Sequence, residues 1–167
     1  MKNVIAYIDL ASELVDKWIR YLVFILISAM IIITTLQVFC RVLFTALSWS
    51  EEATRYLLVW STFFTATLAY KRGKHIAITF VVEFLPKKIK ALVIFLGYFL
   101  SAIFFMTVFY YGMQMINLQI FQISPAMGIP MKHVYLAIPI SMVIMMIHAA
   151  SGAFKKEADN SGKEVTI

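Results

Sequence analysis

Apolar residues along the chain gather into four long runs separated by short polar or basic breaks. A helix needs roughly 20 mainly apolar residues to cross a ~30 Å hydrocarbon core at ~1.5 Å per residue. On that measure the pattern predicts membrane spans at residues 18–40, 49–70, 91–116 and 134–150. The first has no charged side chain from 21 to 40. The second has only fifteen uncharged residues, 56–70, about 22 Å of helix, so it must start earlier, near Trp49. The third can continue through Gln114, Asn117, Gln119 and Gln122 toward Pro125, a polar tail suited to helix packing or head-group depth. The fourth is short and contains Pro139, whose missing N–H calls for support from neighbouring helices or for a kink.

Two further segments read as surface helices rather than spans. Residues 75–85 are mostly apolar but only eleven long, lie between basic clusters at 71–74 and 87–90, and are closed by Pro86. That length suits an interfacial helix. In residues 4–18, Ile8, Ala11, Leu14, Val15 and Trp18 recur at helical spacing with Asp9, Glu13 and Asp16 between them, the pattern of an amphipathic helix.

Orientation follows from Lys and Arg, which are enriched in short cytoplasmic loops. With four spans and the N-terminus inside, twelve of them face the cytoplasm, from Lys2 to Lys163, and only Arg41, Arg55 and Lys132 face out. An odd number of spans would move Lys155 and Lys156 outside and weaken the bias. The expected fold is an all-α membrane protein with both ends inside: one four-helix transmembrane domain over residues 1–154 and a polar cytoplasmic tail over 155–167.

Composition agrees. The chain is 62% hydrophobic and 14% charged, against roughly 45–50% and about 25% in a soluble domain. A net charge of +6 could suggest nucleic acid, but the bases sit between apolar runs rather than on a soluble face, so no nucleic-acid partner is expected. The single cysteine, Cys40, excludes an intrachain disulfide and a cysteine-based zinc site. Residues 1–20 mix three acids with three bases, and no small-residue cleavage motif is evident after them. The first apolar run is therefore expected to stay as a span.

The most informative polar segment is Ser48-Trp49-Ser50-Glu51-Glu52-Ala53-Thr54-Arg55-Tyr56, at the outer entry to the second span. Ser48 and Glu51 have capping-box spacing. Glu51 and Glu52 stand four and three residues before Arg55, so either acid can pair with the guanidinium on one helix face. The plain reading is a well-capped helix at the head groups. The sharper one is that the short uncharged run draws these charges to the hydrocarbon edge, where they call for partners, and a second subunit would supply them.

Three histidines raise the possibility of a haem-binding membrane anchor, which needs two axial ligands. His75, His133 and His148 are not matched in depth on two spans and read as surface or interfacial residues. A self-contained small exporter would want an ionisable relay within a span, yet the first, third and fourth apolar stretches hold no Asp, Glu, Lys or Arg. No phosphate-cradling glycine loop or nucleophile elbow occurs. No enzyme activity, cofactor or metal is expected, and Met113, Met115, Met142, Met145 and Met146 read as adaptable packing residues. The chain is expected to work as part of something larger.

Trp49-Ser50-Glu51-Glu52, Arg55-Tyr56, Trp60, Gly73 and His75-Ile76, followed by Ser124-Pro125-Ala126-Met127-Gly128-Ile129-Pro130 and Tyr135-Leu136-Ala137-Ile138-Pro139, stand in an order and spacing that covers most of the chain. This combination resembles the small membrane subunit of tripartite ATP-independent periplasmic (TRAP) transporters. One departure is Thr65-Ala66, where the family often has Gly. The resemblance implies residence in the bacterial inner membrane beside a large multi-span subunit that couples organic-acid uptake to sodium, with a periplasmic binding protein delivering the solute. It further implies a scaffold role against an elevator-type transport domain. The solute would be of the sialic acid or C4-dicarboxylate class. On this reading Trp49, Glu51, Glu52, Arg55, Tyr56 and Trp60 serve structure and subunit contact, Gly73 and His75 order the inner loop, and Pro125, Pro130 and Tyr135 shape the outer loop between the third and fourth spans. The outer loops at 41–50 and 123–133 could reach the binding protein.

Overall fold

The computed structural model describes residues 2–43, 45–82 and 87–164, with side chains for residues 7, 9–43, 45–73, 89, 92–93 and 96–152. Every regular element among them is helical: α1 (Lys2–Leu43), α2 (Ser48–Val82), α3 (Lys87–Leu118), the single-turn α4 (Lys132–Tyr135) and α5 (Ala137–Glu164). One isolated antiparallel bridge, Ile123 to Pro130, closes the loop between α3 and α4.

The segments expected to lie as separate surface helices are instead continuations of longer ones. Residues 2–43 contain neither Gly nor Pro, so nothing interrupts α1 at Trp18, and it runs for 42 residues, about 63 Å. Helix α2 likewise passes through Lys71, Arg72, Gly73 and Lys74 to Val82. Lys and Arg are good helix formers, and a lone Gly costs only about 1 kcal/mol. Residues 83–85, the end of the expected second surface helix, lie outside the described residues. The polar tail continues α5 as helix to Glu164. Pro139 is the third residue of α5, because the chain breaks between α4 and α5 at Leu136. The first turn of a helix has no intrahelical partner for its N–H groups, so the proline costs no hydrogen bond there.

Among the described residues, three segments are long and apolar enough to cross a membrane: Asp9–Leu43, Leu96–Leu118 and Lys132–Gly152. Helix α2 is long enough but is diluted by charge at both ends of its uncharged run, the shortness already visible in the sequence.

Helices α2 and α5 pack together in the middle, with α1 against one side of the pair and α3 chiefly against α5 on the other. Two apolar clusters fill these seams. Ile19, Val23, Phe64 and Leu68 join α1 to α2, with Trp60 and Ile144 beside them. Phe105, Met142, Met145 and Ala149 join α3 to α5. Between them the centre is small and polar, with Ser61, Thr67 and Ser141 buried. Each donates its hydroxyl to a carbonyl three residues back, at 2.7–3.0 Å, which satisfies the polar group without widening the seam. Gly112 allows a close approach of α3 to α5: a Cβ there would stand 3.1 Å from Ile138 Cγ2 and 3.4 Å from Pro139 Cδ. The large apolar side chains of α1 and α3, such as Phe24, Ile32, Phe39, Leu100 and Phe104, point outward, as lipid or a partner would require.

Candidate functional site

The polar segment at the start of α2 and the loop after α3 come together at one end of the bundle. The helix start is pinned by Ser50, which is fully buried. Its Oγ donates to the Leu47 carbonyl at 2.6 Å and its backbone N–H to the same oxygen at 3.2 Å. The expected capping box does not form among the described residues, because Glu51 Oε1 accepts from Gln37 Nε2 of α1 at 3.4 Å instead.

Glu52 reaches the other way. Its Oε2 accepts from Ser124 Oγ at 2.6 Å and from the Met127 N–H at 3.1 Å, and its Oε1 accepts from the Ala126 N–H at 3.1 Å. Two nearby backbone N–H groups and a hydroxyl thus converge on one carboxylate, the arrangement by which turns cradle anions. Local sequence builds this turn. Pro125 fixes its own φ. Gly128 takes φ +67°, a conformation Gly adopts without steric cost. Gly128 N–H then donates to the Ser124 carbonyl at 3.1 Å, Ser124 N–H to Ile129 O at 2.9 Å, and Met131 N–H to Gln122 O at 2.9 Å. The Tyr56 hydroxyl, one helical turn past Glu52, adds a contact to Met131 Sδ at 3.3 Å. The loop is held at several points along its return.

The expected Glu51–Arg55 and Glu52–Arg55 pairs do not form: among the described residues the ion pair is Arg20 with Asp16, at 2.6 Å. Both acids are taken by donors on other segments, and Arg55 stays exposed, as does Trp49. Trp60 turns inward, edge-on to Phe64 with ring centroids 5.4 Å apart. Pro130 offers its carbonyl to the His133 N–H at 3.1 Å, Pro125 is exposed, and Tyr135 is half-buried in α4. Gly73 lies within α2, not in a loop, and the His75 backbone is helical too, its side chain outside the described set.

A second polar cluster, at the opposite end, was not anticipated. His148, expected at the surface, is 1% exposed, and its Nδ1 lies 2.8 Å from Ser12 Oγ. The Ser12 carbonyl accepts from Lys71 Nζ at 2.9 Å, and Ser151 Oγ donates to Asp9 Oδ1 at 2.5 Å. The uninterrupted α1 covers His148, which a separate surface helix would have left open. The signal was present in the sequence: Asp9, Ser12 and Asp16 share one helical face, and that face turns into the bundle while Leu10, Leu14 and Trp18 point out.

Chemically, these clusters join helices to loops and to one another, and among the described residues no group of three His, Cys, Asp or Glu could hold a metal.

Comparison with known proteins matches residues 30–157 to the family model described as tripartite ATP-independent periplasmic transporters, DctQ component. A sialic acid TRAP transporter permease protein, SiaT, of Haemophilus influenzae strain 86-028NP is 27% identical over 135 residues, which is 78% of this chain and 21% of that protein. The chain therefore spans about a fifth of that relative's length. Two putative TRAP transporter small permease proteins of Haemophilus influenzae strain Rd are each 25% identical, over 80% and 91% of this chain and 84% and 93% of their own lengths. A match over residues 30–157, most of the chain, shows that this protein belongs to the DctQ-component family of TRAP transporters and is a transporter component rather than an enzyme.

Proposed function

We propose that the chain is the small permease subunit of a sodium-coupled TRAP transporter importing an organic acid, and that it braces a large elevator-type subunit in the bacterial inner membrane. The observation that carries this reading is where the charges sit. Acids and bases lie at the two ends of the bundle, where Glu52 holds the loop after α3 and Lys71 joins α2 to α1 and Asp16 pairs with Arg20 within α1, and the apolar stretches of α1, α3 and α5 contain no Asp, Glu, Lys or Arg. A subunit that moved charged solute or ions by itself would need such groups along a path. A brace needs rigid ends and a broad apolar face, and this chain has both.

On this reading α2 is the fourth span, both chain ends are cytoplasmic, and the Glu52 latch faces the periplasm within reach of a solute-binding protein. Exposed Trp49 and Arg55 serve subunit contact, while Tyr56 and Trp60 hold the chain's own packing. The sialic acid named for the Haemophilus relative makes sialic acids the first solutes to try, with C4-dicarboxylates second.

The test is reconstitution of this chain with its large membrane partner and a periplasmic binding protein in liposomes under an inward sodium gradient. Labelled solute should accumulate only with all three components and the gradient present. Full uptake without this chain, or uptake by this chain alone, would overturn the assignment.

A further inference from the structure

At the end of the bundle opposite the latch, α1 and α2 frame a half-open cavity of about 350 Å³ lined by Glu13, Asp16, Lys17, Arg20, Tyr21 and Lys71. Its depth in a membrane can be read from both helices. The uncharged run of α1 begins at Tyr21 and that of α2 ends at Tyr70, so the charged wall stands where hydrocarbon gives way to head groups. Trp18, Tyr21 and Phe24 point outward around it, as aromatic side chains do at that boundary.

The lining is of mixed sign. Arg20 and Asp16 pair at 2.6 Å, and Lys71 uses one N–H on the Ser12 carbonyl. Lys17 and Lys71 supply positive charge beyond that pair, and Glu13 supplies a carboxylate. Asp16 is only 8% exposed, and among the described residues its Oδ1 is buried without a hydrogen-bond partner. Glu13 is exposed and lines the cavity together with Asp16, so this wall is matched by a ligand that brings N–H groups as well as negative charge.

We propose that the cavity binds the head group of an aminophospholipid, with the phosphate diester against Lys17, Arg20 and Lys71 and the primary ammonium toward Glu13 and Asp16. Basic pockets between helices at this depth take lipid phosphates, and the acids select among them. A phosphoglycerol head group lacks the ammonium, and a choline head group carries the charge without an N–H to donate. The site requires only that the chain lie in a membrane, so it stands apart from the transport role.

Native mass spectrometry of the full chain in mild detergent, offered phosphatidylethanolamine, phosphatidylglycerol and phosphatidylcholine at equal concentration, tests the site. The wild-type chain should retain phosphatidylethanolamine most. Lys17→Gln should lower that retention about fivefold, the effect of one cation at a lipid surface. Glu13→Gln should erase the preference over phosphatidylglycerol while leaving thermal unfolding unchanged; both residues are exposed, so neither variant threatens the fold. Equal retention of phosphatidylethanolamine and phosphatidylcholine, indifference to both substitutions, or displacement of the lipid by millimolar inorganic phosphate would overturn the proposal, the last by assigning the site to a soluble anion.

Discussion

The carboxylate of Glu52 and the hydroxyl of Ser124, 72 positions apart in the chain, meet at 2.6 Å. That contact ties the first turn of α2 to the loop that delivers α4 and α5, so one acid sets where half of the bundle enters. Replacing it tests the latch directly. In Glu52→Gln one oxygen still accepts, but the other position becomes an NH₂ group facing an N–H or hydroxyl donor, so at least one of the three bonds is lost. Amide exchange at Ala126 and Met127 should become several-fold faster while the α1–α2 seam around Phe64 keeps its protection. Unchanged exchange in the loop would mean that the turn holds itself.

The same substitution at two glycines should act in opposite directions. Gly128 has φ +67° with open space where a Cβ would stand, so Gly128→Ala carries only the backbone cost, about 1–2 kcal/mol. Gly73 sits inside α2 with nothing within 4 Å of a Cβ, so Gly73→Ala should stabilise the chain by about 0.5–1 kcal/mol. Thermal unfolding in detergent reads both. A fall in stability at Gly73 would show that this glycine serves something other than its own helix.

Much of this architecture is legible in the linear pattern, and the exceptions share a cause. The apolar cores of the long helices follow from run lengths, and α3 ends at Leu118, within the polar tail that starts at Gln114. What the pattern could not deliver was the partner of a polar group. Ser48 and Glu51 have the spacing of a capping box, yet Gln37 from another helix competes for the acid. Glu52 and Arg55 are close in sequence, yet a turn seven decades of residues away offers Glu52 three donors. Local spacing proposes a partner, and tertiary packing chooses among all donors within reach. The surface placement of His148 failed for the same reason: whether α1 stops at Trp18 or runs on decides its burial, and no residue near His148 carries that information.

Ser12 and His148 give a measure of that hidden cluster. Ser12→Ala removes the hydroxyl 2.8 Å from His148 Nδ1 at a site almost closed to solvent, and should cost about 1–3 kcal/mol. Thr34→Ala is the comparison: its hydroxyl donates to Met30 in its own helix on an exposed face, and the change should stay within about 0.5 kcal/mol. Equal effects in thermal unfolding would remove the argument that α1 is fastened through Ser12.

Arg55 is exposed and bound to neither acid near it, so its substitution separates folding from assembly. Arg55→Ala should leave the stability of the isolated chain within about 0.5 kcal/mol of wild type, read by thermal unfolding, and reduce recovery of the large subunit in co-purification. Full recovery together with full uptake would remove Arg55 from the subunit contact.

Whether α2 crosses the membrane is decided by its two ends. Its uncharged run is about 22 Å long, short of the ~30 Å core, but Glu52 is held by Ser124 and the turn after it at one end and the Lys71 ammonium is held by the Ser12 carbonyl at the other, so each margin has a charged group with a protein partner. Packing between α1 and α5 also shields it from lipid along much of its length, which relaxes the demand for a fully apolar surface. With Cys40 replaced by Ser, single cysteines at Ala126 and Arg72 report on the two ends, since Ala126 touches Glu52 and Arg72 follows Lys71. A membrane-impermeant maleimide should label Ala126→Cys in intact cells and Arg72→Cys only after lysis. Labelling of both from the same side would mean that α2 does not cross, leaving three spans, placing the two polar clusters on one face of the membrane, and removing the basis for putting the latch within reach of a periplasmic partner.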